Sequence, residues 1–118
     1  RKVEPNGTIY TVCGTGVAGY GGDGGRAEDA QLNAPRGQSA PPAGRITIDA
    51  NDRLYIADTG NHIVRRIDTD GTIDTIAGTP GQRGYSGDGG PATEARLDTP
   101  SDVAIGVDGT IYIADTMN

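Results

Sequence analysis

The stretches "LYIADTGN", Leu54–Asn61, and "IYIADTMN", Ile111–Asn118, are near-copies of one another. Four apolar residues in a row, made of Ile, Leu, Tyr and Ala, read as a short strand, and the Asp-Thr that follows reads as a turn. A strand with one wet face alternates apolar and polar residues. "LYIA" does not alternate, so it reads as a strand in a sheet covered on both faces.

The copying extends outward in both directions. "GTIYTVCGT", Gly7–Thr15, matches "GTIDTIAGT", Gly71–Thr79. "RKVEPNGT" at the start of the chain matches "RRIDTDGT", Arg65–Thr72, so Arg1 corresponds to Arg65. The glycine-rich "GYGGDGGRAEDAQL", Gly19–Leu32, matches "GYSGDGGPATEARL", Gly84–Leu97. One large difference remains. After Pro35 the first copy carries "RGQSAPPAGR", Arg36–Arg45, about eight residues more than the second copy has after Pro100, and such an insertion belongs in a surface loop.

Each unit holds four strand candidates. They are Ile46–Ile48 or Val103–Val107, Leu54–Ala57 or Ile111–Ala114, Ile63–Ile67 or Lys2–Val3, and Ile73–Ala77 or Ile9–Cys13. Asp, Asn and Gly separate them at hairpin spacing. The expectation is an all-β chain of four-stranded antiparallel meanders, which at this repeat length read as β-propeller blades. Residues 46–78 make a full blade, 1–14 the end of another and 103–118 the start of a third, with 15–45 and 79–102 as connectors. That is about two blade-equivalents with half-blades at both termini. Unpaired strand edges are generally avoided, so a homo-oligomer or neighbouring repeats are expected to complete the half-blades. Three chains would close a ring of six blades.

Composition agrees. There are 20 Gly, no Trp and no Phe in 118 residues, and Ile is the commonest bulky apolar residue, which suits strands and turns. The net charge of −6, with 16 acids against 10 bases, argues against nucleic-acid binding, which draws on phosphate neutralisation. No stretch has transmembrane length, so no membrane insertion is expected. The chain opens without Met and reads as an excised or processed piece, so the lack of a signal pattern says little about compartment. Cys13 is the only cysteine; Ala77 stands at its place in the other copy, so it reads as a small buried apolar residue.

The glycine loops invite three chemical readings. A phosphate loop needs Lys and Ser or Thr after its glycines, but Pro91 or Arg26 follows here. Calcium needs several oxygen ligands, and each loop offers one carboxylate, Asp23 or Asp88. The structural reading makes the loop a connector ending in a helical turn. In it Pro91 takes the first helical position, Asp23 or Asp88 caps the turn, Glu94, Glu28 and Asp29 sit early in it, Leu32 or Leu97 anchors it, and Pro35 or Pro100 stops it.

Catalysis has little to work with. His62 is the only histidine and reads as structural, and Ser39, Ser86 and Ser101 are the candidate nucleophiles. Asp58 and Asp115 recur at one place in each unit, which suits a turn whose carboxylate bonds backbone amides. The bases Arg1, Lys2, Arg65 and Arg66 are expected to pair with Glu4, Asp68 and Asp70 or to stay solvated. No catalytic, cofactor-binding or metal-ligating residue is expected.

The combined pattern "GDGGPATEARLDTPSDVAIGVDGTIYIADTMN", with Asn61-His62-Ile63 after the second strand, resembles the NHL-repeat family over almost the whole chain, twice. The glycine linker resembles that of bacterial extracellular NHL proteins and of the NHL propeller in teneurin-type adhesion proteins. The resemblance implies a β-propeller, most often six-bladed, used as a rigid binding platform. A non-enzymatic structural, self-assembling or protein-binding module, extracellular or at a cell surface, is therefore expected. The alternative is an NHL-like lyase or lactone hydrolase with an axial metal, and a weaker one is a glycan or peptide sensor using the insertion after Pro35.

Overall fold

A computed structural model describes residues 1–37, 40 and 43–118 of the chain. Its strands are β1 (Lys2–Val3), β2 (Ile9–Tyr10), β3 (Gly25–Arg26), β4 (Ile46–Ile48), β5 (Leu54–Asp58), β6 (Ile63–Ile67), β7 (Thr72–Ala77), β8 (Pro100–Ile105) and β9 (Ile111–Asp115). Short 3-10 turns lie at Ala27–Asp29, Thr59–Asn61 and Ala92–Glu94. The chain is all-β, with every pairing between strands antiparallel. The repeat predicts most strand limits to within a residue. Two differ: β2 is shorter than Ile9–Cys13, and β8 runs three residues earlier than Val103, because Pro100 pairs with Asp115 across a bulge.

The central sheet has the order β3-β7-β6-β5-β4. Four of its strands are the expected meander. The fifth, β3, comes from the glycine loop and pairs with the edge of β7, so this loop is a sheet member as well as a connector. The pairs β1-β2 and β8-β9 form separate two-stranded sheets.

β5 is covered on both faces, as its unbroken apolar run requires, while Ile46 and Ile48 at the β4 edge stay largely exposed. Ile56, Ile67 and Ile73 pack with Ala27 and Ala30 of the first glycine loop, alongside Val12 and Cys13 beyond β2. Tyr55, Val64 and Ala77 pack with Val103, and Leu97, Ile105 and Ile113 close that side. At the 25 cal/mol per Å² typical of apolar burial, side chains of this size each contribute on the order of 1.5–3 kcal/mol. The second interface lays the β8-β9 sheet on the central one, whereas the first is made by the glycine loop and the residues beyond β2, with β1 and β2 themselves exposed. Cys13 is half-buried at the edge of the first interface rather than fully enclosed. Burial pushes its thiol pKa up, an effect the Arg65 charge opposes.

The β4–β5 turn is locked by one acid. Asp49 accepts the amides of Asn51 and Arg53, the Arg53 Nε at 2.7 Å and the Tyr55 hydroxyl at 3.0 Å. Burial pushes this carboxyl up, but the Arg53 amide and guanidinium, the Asn51 amide and the Tyr55 hydroxyl outweigh it and hold it at about 2. An unfolded Asp titrates near 3.9, so the folded value is depressed. Its stabilisation is thus complete above about pH 5 and lost as pH falls through about 2. Asp49→Asn should flatten that acid limb: between about pH 5 and pH 2 the urea midpoint of the wild type falls further than the variant's. Parallel declines in the two proteins would show that Asp49 carries none of the acid sensitivity.

Candidate functional site

The most elaborate polar arrangement lies where the first glycine loop meets β6. Alternation along β6 puts Arg65 on the same face as Ile63 and Ile67, which point into packed protein. Its guanidinium is fully buried and is held by Asp23 at 2.6 Å, the Gly21 carbonyl at 2.9 Å and the Gln31 carbonyl at 2.8 Å. Asp58 lies 3.7 Å away and the Tyr20 ring centroid 5.5 Å away. A buried guanidinium needs this many acceptors to replace its water.

Asp23 is the hub of the loop. Besides Arg65 it accepts the Tyr20 hydroxyl at 2.9 Å and both the amide and the hydroxyl of Thr75. Burial raises its pKa, but the bonds from Thr75, Arg65 and Tyr20 outweigh that and leave it lowered. Asp58, more deeply enclosed, goes the other way. Burial raises it despite the Asn33 amide, the Asn61 side chain and Arg65. The two acids share one guanidinium, and the nearer, wetter one is favoured as the anion.

These contacts correct the capping role expected for Asp23 and Asp88. Neither 3-10 turn has a side-chain cap; Arg26 and Pro91 occupy the cap positions in extended conformation. Asp88 instead accepts the Tyr85 hydroxyl at 3.0 Å. Pro91 is not the first helical residue but the one before it, and its carbonyl accepts the Glu94 amide. The anchors of the first turn are Ala27 and Ala30, both fully buried, whereas Leu32 and Leu97 are only half-buried.

Small residues are needed because each loop folds back on itself. Gly22 has φ +92, and a Cβ there would stand 2.7 Å from the Ala30 Cα; Gly87 has φ +102 and the same relation, 2.6 Å, to Ala95. The close approach lets Gln31 bond the Gly21 carbonyl and Arg96 the Ser86 carbonyl.

The repeated acids Asp58 and Asp115 bond backbone amides as expected, but the amides belong to the preceding connectors. The Asn33 amide donates to Asp58 at 2.8 Å and the Asp98 amide to Asp115 at 2.6 Å. Asn61 and Asn118 complete the pattern, donating to the Gly19 and Gly84 carbonyls, each at 2.8 Å, and to Asp58 and Asp115. The unit's second strand therefore holds down the loop that precedes it.

Across the second interface, the Thr59 hydroxyl donates to the Pro100 carbonyl at 2.7 Å. His62 has left-handed backbone, and its Nδ1 accepts the Thr99 amide at 3.1 Å. That bond puts the ring proton on Nε2 and gives the histidine a joint between units. Ser101 bonds Thr116 and Ser86 lies in the glycine loop, so neither is placed as a partner of His62. Ser39 lies outside the described residues, as do residues 38, 41 and 42 of the insertion. Arg66 pairs with Asp68 at 2.8 Å and Lys2 with Glu4 at 2.6 Å, as expected. Arg65 and Asp70 depart from expectation: Arg65 is buried, and Asp70 takes the Thr72 amide.

A cleft of about 270 Å³ opens between β1 and the central sheet, lined by Val12, Cys13, Ile46, Leu54 and Asp58 among others. Its one carboxylate is already bonded to the Asn33 amide. Among the described residues no three His, Cys, Asp or Glu side chains converge as a metal site. No described helix is long and apolar enough to cross a membrane.

The burial of Arg65 and its pairing with Asp23 were not read from the sequence. The available signal was Arg65 alternating with Ile63 and Ile67 on one face of β6, matched by a recurrent acid in the loop.

No family model matches the chain. It is 37% identical to Teneurin-1 of Gallus gallus over 91% of the chain and 4% of that protein. It is 36% identical to Teneurin-1 of Homo sapiens over 80% of the chain and 3% of that protein. A solved structure, a protein of unknown function from Bacteroides thetaiotaomicron VPI-5482, superposes with a TM-score of 0.71 at 26% identity. That match covers 95% of the chain and 26% of the solved one. The chain thus spans a small fraction of the teneurins and about a quarter of the solved chain, and within that span it is similar to both.

Proposed function

We infer that the chain is a non-enzymatic module of NHL-type β-propeller blades, serving as a structural, self-assembling or protein-binding scaffold. The observation that carries this reading is the central sheet, a four-strand meander with the β8-β9 sheet of the next unit on one face and the preceding glycine loop with Val12 and Cys13 on the other. A blade needs a neighbour on each side, and stacked blades close into a ring. The likeness to teneurins supports a place outside the cell or on its surface. Asp58, Asn61, Asp115 and Asn118, which recur in each unit, are engaged in holding loops to strands, which suits a scaffold better than a reaction centre.

Light scattering on the purified chain tests the reading. Three copies of 12.1 kDa, which complete six blades, are the expected particle. A folded monomer overturns self-assembly. Metal analysis tests the lyase or hydrolase alternative. The scaffold reading expects no stoichiometric metal, and retained metal with hydrolytic turnover would replace it.

A further inference from the structure

We propose that the second glycine loop is a preformed receptor for one arginine, and that Arg1 of a second copy of this chain fills it while its β1 pairs with β9. The inference rests on the blade reading and adds the chemistry of the joint.

The receptor is a replica of the one around Arg65. There the guanidinium is bound by the Gly21 and Gln31 carbonyls, Asp23, Asp58 and the face of Tyr20. The matching groups in the second loop are the Ser86 and Arg96 carbonyls, Asp88, Asp115 and Tyr85. Their internal bonds repeat as well. Gly21 bridges Gln31 and Ser86 bridges Arg96. Tyr20 donates to Asp23 at 2.9 Å and Tyr85 to Asp88 at 3.0 Å. Asn61 and Asn118 each reach the loop's first glycine at 2.8 Å. Among the described residues the only side chain bonded to Asp88 is Tyr85, whose own ring is 73% exposed.

The apolar surroundings show the same difference. Ala27 and Ala30 are buried beneath Ile67 and Ile73, but their counterparts Ala92 and Ala95 are exposed and half-buried. The counterparts of Ile67 and Ile73 are Val3 and Ile9, which are 65% and 50% exposed on β1 and β2. Each surface is therefore uncovered where the other offers the covering residue.

Register ties the two together. In the central sheet Ile56 pairs with Arg65, Tyr55 with Arg66 and Leu54 with Ile67. Transferred to β9, this sets Ile113 opposite Arg1, Tyr112 opposite Lys2 and Ile111 opposite Val3 of the incoming strand. The pairs Lys2–Tyr10 and Val3–Ile9 within β1-β2 already copy Arg66–Asp74 and Ile67–Ile73. The joined sheet is then a four-stranded meander, β8-β9 from one copy and β1-β2 from the next. The amides of Gly89 and Ala92 stand where those of Gly24 and Ala27 donate to the carbonyls of Ile73 and Gly71. The contact is head-to-tail and repeats until it closes.

Sedimentation equilibrium across a concentration series tests this with the wild type, Asp88→Asn, Arg1→Gln and the double variant. Asp88 is exposed and Asn keeps an acceptor for Tyr85, so circular dichroism should be unchanged in each. The wild type is expected to associate. Each single variant should weaken association at least tenfold, and the double variant should be little weaker than either, the mark of one shared contact. Wild-type association that neither substitution weakens overturns the arginine receptor and leaves the blade reading standing. Additive losses overturn the pairing of Arg1 with Asp88. A folded wild type that stays monomeric at every concentration overturns this inference together with self-assembly.

Discussion

Arg65→Ala should lower folding stability by about 3–5 kcal/mol, the cost of removing one partner from a buried ion pair. The guanidinium has no exposed surface, and its loss leaves Asp23, Asp58 and two carbonyls without their shared donor. The Asp58 carboxyl, already raised by burial, loses a nearby cation as well. Whole domains are stable by about 5–15 kcal/mol, so this one substitution consumes a large share. Urea unfolding at neutral pH measures it. A loss below about 1 kcal/mol would place Arg65 among ordinary surface pairs and remove it as the link between loop and sheet. Adding Asp23→Asn should recover part of the loss, because one stranded charge goes; a double-mutant cycle reads that coupling.

The second large effect is expected at the turn of the loop. Gly22→Ala places a Cβ 2.7 Å from the Ala30 backbone at a φ of +92. Left-handed strain and the forced separation of the two loop arms together cost about 2–4 kcal/mol. Gly24 is the internal control. Its φ is +78 and no atom lies within 4 Å of a Cβ there, so Gly24→Ala pays the conformational cost alone, about 1–2 kcal/mol. Equal losses at both positions would mean that the close approach of Gly22 to Ala30 contributes nothing.

These two sites explain why the glycine loop recurs. Its glycines bring two arms of chain together, its carbonyls and acid then surround an arginine, and that arginine belongs to the third strand of the following unit. The loop is a clasp between consecutive units. The first copy shows the clasp closed on Arg65; the second presents the same groups around Asp88.

The period of the repeat, the unbroken apolar run of β5 and the Asp-Gly turns were enough to place β4, β6 and β1 at their observed limits and β5, β7 and β9 to within a residue. Strand pairing between sequence neighbours depends on local turns and on alternation, and both are written in consecutive residues. That Asp58 and Asp115 bond backbone amides was legible, since repetition marks a structural task, but the amides lie in the preceding connectors and not in the acids' own turns. What stayed hidden is long-range. Asp23 and Arg65 are far apart in the sequence, and nothing local distinguishes an acid that caps a turn from one that binds a distant guanidinium. Pairing of Gly25 and Arg26 with the edge of β7, burial of Ala27 and Ala30, and the Thr59 and His62 contacts to the next connector arise only when each loop is folded back onto a distant strand. The sequence alone determines a chain of repeated antiparallel units, because hairpins close through neighbouring residues. Tertiary structure decides what each loop is for, because a buried charge is stable only where acceptors from several segments converge, and that convergence exists only once the loop is packed onto the sheet.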